Sequence, residues 1–244
     1  MVMPLQTKRT NAPKRSAIIA GLLALSSWFA LLPALAPQHL RAQQTPAAET
    51  QATPQRKTST PYTGDLSRFE YADRDKKLQV ERVMDLLGIA PGKSVADIGA
   101  GSGWFSVRAA RRVKSNGLVY AVDINPEAVT YIEQRAKRES IGNIEVITGK
   151  PDDPMLPSHS VDAVLLLKTY HEVAQPVALM KRLRESLRPG ARVGIIDRNG
   201  TPEDHGVNRD IVLREMGEAG FTPIGKYDFV KGDNEDYFLV FNAR

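Results

Sequence analysis

Three glycines at alternate positions, Gly99, Gly101 and Gly103, stand between two acids, Asp97 and Asp123. Glycine has no β-carbon, so the backbone at these points can take left-handed angles and lie directly against a ligand. An apolar run, Val95-Ala-Asp97-Ile, leads into the turn, and the residues from Gly103 onward read as a helix. The first N–H groups of such a helix lack partners within it and face the turn, a place for a carboxylate or a phosphate. A second apolar run, Val119-Tyr-Ala-Val, ends in Asp123, 20 residues beyond Gly103. In a doubly wound fold an acid at that distance grips ribose hydroxyls. The pattern describes a site for a ribose-bearing ligand.

The glycine spacing separates two classes of such ligand. A dinucleotide turn reads G-x-G-x-x-G, its third glycine allowing close helix–strand packing, and here Trp104 occupies that place. The sequence Asp97-x-Gly99-x-Gly101-x-Gly103, followed by Asp123, instead resembles motif I and the second-strand acid of class I S-adenosylmethionine (SAM)-dependent methyltransferases. The resemblance runs from about Asp65 to Arg244. Pro91-Gly92-Lys-Ser-Val-Ala-Asp97 is similar to the family's lead into the first strand, and Gly149-Lys-Pro-Asp152-Asp153-Pro-Met-Leu-Pro157 to its adenine loop. Ser160-Val-Asp162-Ala-Val-Leu-Leu-Leu167 resembles the fourth strand, and Leu187-Arg-Pro-Gly190 the turn before the fifth. Within the family the likeness is to the small-molecule group called type 11.

The resemblance implies a role for each of these residues. SAM is the cofactor. Main-chain groups around Gly99, Gly101 and Gly103 line its methionine portion, and Asp97 orders that loop or reaches the amino group. Asp123 binds the ribose and Ile124 packs on the adenine. Where the family commonly has Gly-Asp, this chain has Gly149-Lys150, so the acid near the exocyclic amine moves to Asp152, with Asp153 second.

The acceptor side rests on Lys168-Thr-Tyr170-His171-Glu172, which leaves the fourth strand at the crevice where such folds bind ligands. An unperturbed imidazole titrates near neutrality, which makes His171 the candidate base; the alternative is a loop cap held by backbone hydrogen bonds. Tyr170 is the second candidate catalytic residue, read either as a pocket wall or as core. Asp197-Arg198 either orients substrate or forms an exposed strand-end pair. Phe69, Tyr71 and Arg74 fold over the site as a lid or pack on the domain. His159, His171 and His205 show no metal-ligand spacing, and no metal is expected.

These residues need a frame. The fold expected is α/β: a Rossmann-like, doubly wound, mostly parallel seven-stranded sheet with a C-terminal antiparallel hairpin. Strands are expected at 94–98, 118–123, 143–147, 161–167 and 191–196, with helices at 76–87, 103–113, 126–138, 175–187 and 206–219. Ile224–Val230 and Tyr237–Phe241, around a polar turn, read as the hairpin. Residues 65–244 form the domain.

Ahead of it, residues 1–42 carry Lys8, Arg9, Lys14, Arg15 and Arg41 and no acid, with an apolar stretch at 17–36. That segment reads as a cleaved export signal or a membrane anchor, placing the domain outside the cytoplasm, away from the usual SAM pool. Residues 43–64, rich in Gln, Thr, Pro and Ala, read as a disordered tether. Without the leader's five cations the chain is formally neutral, so the net charge of +5 marks no nucleic-acid-binding face. With no cysteine, thiolate nucleophiles, disulfides and Cys-based metal sites are excluded. The expected activity is methyl transfer to a small-molecule or lipid/quinone-like acceptor. The alternatives are a non-catalytic binder of SAM or S-adenosylhomocysteine and, less well matched by the glycine spacing and the C-terminal hairpin, a nucleotide-dependent oxidoreductase.

Overall fold

A computed structural model describes residues 55–243. The stretch 17–36 and the first part of the expected tether, 43–54, lie outside the described residues. Among the described residues no helix is long and apolar enough to cross a membrane.

The strands are β1 (Ser94–Ile98), β2 (Leu118–Asp123), β3 (Ile144–Thr148), β4 (Val161–Leu167), β5 (Leu187–Asp197), β6 (Phe221–Tyr227) and β7 (Tyr237–Ala243). They form one sheet in the order β3-β2-β1-β4-β5-β7-β6. β3 through β5 are parallel, and β7 inserts antiparallel between β5 and β6. The expected seven-stranded architecture is therefore present. The helices are α1 (Arg74–Leu78), α2 (Val80–Leu87), α3 (Trp104–Val113), α4 (Pro126–Arg138), α5 (Pro176–Ser186) and α6 (Arg209–Glu218).

Sequence chemistry explains the elements. β4 is apolar at six of its seven positions and its interior is buried on both faces, as a central parallel strand must be. On one face Ile98, Val164, Leu166 and Ile195 meet Met180 and Leu183 of α5 and Met216 of α6. On the other, Val95, Leu165 and Phe238 meet α2 and α3 through Leu87, Phe105 and Ala109. Each fully buried Leu, Ile or Phe contributes about 1.5–3 kcal/mol, so the two layers hold the strand ends rigidly. Asn125 caps α4 by accepting from Glu127 N–H, and Pro126 occupies its first turn.

Three local expectations change. The predicted helix over 76–87 breaks at Gln79, whose φ of 53° is left-handed; its side chain donates to Phe229 O at 3.1 Å, and Leu78 and Val80 both turn inward. β5 begins at Leu187 rather than 191, because Leu187 pairs with Val161 across an irregular register before Arg192 pairs with Ala163.

The third change bears on the site. Residues 55–64 are not a free tether. Arg56 N–H donates to Ala174 O at 2.8 Å, its guanidinium pairs with Glu215 at 3.0 Å, and Ser59 is 2% exposed. Composition missed this because the segment's holding partners lie more than a hundred residues away.

Candidate active site

The strand order reverses direction between β1 and β4, the switch point at which a doubly wound sheet leaves a crevice. A cleft of about 570 Å³ opens there, within the range of small-ligand sites.

Its first wall is the turn after β1. Gly99, Gly101 and Gly103 have φ of +70°, +54° and +69°, angles that side-chain-bearing residues rarely adopt. A β-carbon on Gly99 would stand 2.3 Å from Thr169 Cγ2, so the loop after β4 requires glycine there. At Gly101 nothing lies within 4 Å, and the backbone faces the open cleft. Asp123 ties the turn down: its carboxylate accepts from Gly101 N–H at 2.8 Å and Asn125 N–H at 2.9 Å. Each oxygen keeps a lone pair for a further donor. Asp97 lies 2% exposed beneath the turn and accepts from Ser106 Oγ at 2.6 Å. Burial pushes its carboxyl up to about 6, against the opposing pull of Ser106.

Beyond Asp123, Ile124 is 53% exposed at the cleft edge, opposite Gly149, Pro151 and Pro154. This is a flat apolar slot beside a hydrogen-bonding acid. Asp152 and Asp153 do not line it. Asp152 is exposed, and Asp153 accepts from Met155 N–H at 2.8 Å, fixing its own turn. The loop therefore presents backbone and proline to the cleft where the sequence reading placed a carboxylate.

The far wall gathers charged side chains. Lys168, itself left-handed at φ 57°, lies 2.7 Å from Glu235 Oε1 and donates to Asp233 O at 3.1 Å. The approach to Glu235 is an ion pair without hydrogen-bond geometry, and both carboxylate oxygens of this 1%-exposed residue lack a donor. Burial drives Glu235 up to about 7 despite Lys168. Glu172 also lines the cleft; burial raises it to about 7, opposed by His171 and reinforced by Asp123 and Asp197.

A roof covers both ends. Tyr62 and Phe69 meet edge to face at 5.2 Å and, with Leu66, line the cleft from above. Glu70 pins this roof to α4 through Tyr131 Oη at 2.8 Å and Arg135 at 2.9 Å. Arg74 is 5% exposed, donates to Phe69 O at 2.6 Å and lies 4.2 Å from the Trp104 ring centre. Tyr71 faces outward and bonds Asp233.

Comparison with known proteins matches residues 95–190 to a family model described as a methyltransferase domain. The protein-L-isoaspartate O-methyltransferase of Methanothrix thermoacetophila is 30% identical over 154 residues, covering 62% of this chain and 70% of that protein. The chain belongs to the class I SAM-dependent methyltransferases. Nocamycin O-methyltransferase of Saccharothrix syringae is 31% identical over 114 residues, 47% of this chain and 41% of that protein. Other curated relatives are likewise spanned over less than half their length, 47% and 45%. In fold, a SAM-dependent methyltransferase from Aquifex aeolicus superposes with a TM-score of 0.66 at 23% identity, covering 73% of this chain and 98% of that one. SAM is the family's methyl donor, and the cleft fits it: an open glycine backbone, a carboxylate with free lone pairs and an apolar slot stand in sequence along one wall.

Within this methyltransferase fold the two residues expected to be catalytic sit away from the cleft surface. Tyr170 is 0% exposed, its ring 5.2 Å from the Arg56 guanidinium; burial and the Glu215 charge hold its phenol well above the ordinary range. It is core, with no path to an acceptor. His171 is 6% exposed behind Glu172, its Nδ1 2.8 Å from Asp197 Oδ1 and its backbone N–H donating to Asp197 Oδ2 at 3.0 Å. Burial pulls the imidazole down, but the Asp197 hydrogen bond and charge outweigh it and leave it raised. Asp197 is wholly buried, so it is not an exposed strand-end pair. Glu172 and Lys168 belong to the same 168–172 run, beside the two residues expected to be catalytic. Glu235 and Arg56 carried no local signal at all.

Proposed function

We propose that this methyltransferase transfers the methyl group of SAM to a small, largely apolar acceptor of the small-molecule or lipid/quinone-like kind. The observation that carries this reading is the roof: Tyr62, Leu66 and Phe69 close over a cleft whose floor is the motif turn. Such a roof favours a slender acceptor that threads beneath it over a broad folded surface. The acceptor end then lies at Lys168 and Glu172, whose charges orient a polar head while the roof holds an apolar body.

When bound, SAM would supply an activated methyl group, with S-adenosylhomocysteine as the departing product. The chain's own task is alignment, which supplies several kcal/mol of the barrier. In this assignment the backbone at Gly99–Gly103 holds the methionine portion, and Asp123 takes the ribose hydroxyls. Ile124 with Pro151 and Pro154 sandwiches the adenine. Asp97 keeps the turn in shape from below. The pair of half-buried Lys168 with buried Glu235 fixes the far wall.

We infer further that residues 1–42 export or anchor the domain, which the basic start and the apolar 17–36 support. The activity test is incubation of the full-length protein with methyl-labelled SAM and a panel of quinols, phenols, prenyl lipids and small amines. Label entering an organic-extractable product supports the reading. Tight SAM binding with label appearing in none of them, nor in extracted envelope lipids, favours the non-catalytic binder.

A further inference from the structure

The loops that follow β4 and β5 leave the same edge of the sheet, because the two strands are adjacent and parallel. One carries His171 and Glu172, the other His205. Thirty-four residues apart in sequence, the two imidazoles come to a ring-centre separation of 6.1 Å at right angles. One ligand atom from each of His171, Glu172 and His205 lies within 4.8 Å of the others.

We propose that these three side chains bind one divalent transition-metal ion just behind the cleft wall that Glu172 forms. The tautomer of His171 is set for it. Asp197, 0% exposed, faces Nδ1 at 2.8 Å, so the proton sits there and the Nε2 lone pair points toward Glu172, whose Oε1 is 3.7 Å away. A buried carboxylate behind a histidine is the outer-sphere partner that orients a ligating imidazole and strengthens its donation. Asp197 is itself fixed by the backbone N–H groups of His171 and Arg198, at 3.0 and 2.9 Å.

The backbone at His205 is fixed as well. It ends a short turn in which Thr201 and Asp204 cap each other, and Arg198 Nη1 donates to Asp204 O at 3.2 Å. Its side chain is exposed, which gives an ion a path from solvent, while Glu172 carries the site to the cleft wall. Two imidazoles and one carboxylate select zinc, iron, cobalt or nickel over magnesium or calcium, which favour all-oxygen sites. Three protein ligands leave coordination positions open. Resting on the methyl-transfer reading, the ion would fix Glu172, the wall residue it shares with the cleft, from behind.

The test uses tag-free, full-length protein stripped with chelator and dialysed. Co²⁺ is added while visible d–d absorption is followed, and Zn²⁺ binding is measured by calorimetry. One equivalent should bind, with the intense bands of a four- or five-coordinate ion. His205→Ala and Glu172→Gln should each weaken binding by about tenfold or more, with unfolding temperature unchanged for the exposed His205. No binding, or binding that is the same in both variants, overturns the site and leaves His171–Asp197 as a structural hydrogen bond. SAM is titrated into the same samples. Metal binding that needs His205, with no SAM binding, keeps the metal site and removes the methyl-donor reading; the reverse result removes only the metal site.

Discussion

The two ends of the cleft are built in opposite ways. At the cofactor end, backbone geometry does the work: three left-handed glycines, and a carboxylate spent on two neighbouring N–H groups. All of it lies between residues 97 and 125. At the acceptor end, side chains from residues 56, 168–172, 197–205 and 233–235 meet through buried charge. The first construction keeps one shape for one ligand. The second depends on partners that change independently, so it is where specificity can vary without disturbing the donor site.

The ends meet at Gly99 and Thr169, and breaking that contact has the largest expected effect. Gly99→Ala combines a disfavoured φ with a β-carbon 2.3 Å from Thr169 Cγ2. It should cost about 4 kcal/mol in urea unfolding and abolish measurable SAM binding. Adding Thr169→Ala removes the two nearest clashing atoms and should restore part of the stability but not the φ cost. Full additivity of the two substitutions would show that the ends are not coupled there.

Asp97 sharpens the comparison through pH. Its folded-state value near 6 lies above the unfolded one, so ionising it costs stability. That cost is absent below about pH 4, sets in as pH rises, and is complete above about pH 6, where it reaches about 3 kcal/mol. Asp97→Asn keeps an acceptor for Ser106 Oγ. The variant's stability relative to the parent should therefore rise between pH 4 and 7 by roughly that amount. A flat difference in Tm across this range would remove the buried-charge account of the turn.

Asp123→Ala deletes the anchor of the cofactor end, and calorimetry should show SAM affinity lower by about tenfold or more, at least 1.4 kcal/mol. Arg56→Ala has the smallest effect on the cofactor and belongs to the other construction. Loss of its bonds to Glu215, Tyr170 O and Val173 O should speed hydrogen exchange over residues 57–63 by about tenfold while SAM affinity moves less than about twofold. Equal effects of Arg56→Ala on both would mean the roof is part of the donor site.

The same contrast explains what could be read in the sequence. β1, β2 and β4 are legible to the residue because a central strand's continuous burial is written in adjacent positions. The motif turn is legible because glycine spacing is itself a geometric statement. The break at Gln79 is not, since it is made by Phe229 O, far along the chain. The docking of 55–64 and the burial of Tyr170 are hidden for the same reason: Arg56 and Glu215 decide both. Spacing also separated His171 from His205, and only the adjacency of β4 and β5 brings them together.

The most direct measurement is calorimetric titration of the full-length protein with SAM and, separately, with S-adenosylhomocysteine. One-to-one binding of both in the micromolar range, weakened about tenfold or more in Asp123→Ala, is the predicted result. A folded sample that takes up neither would contradict the assignment of the cleft.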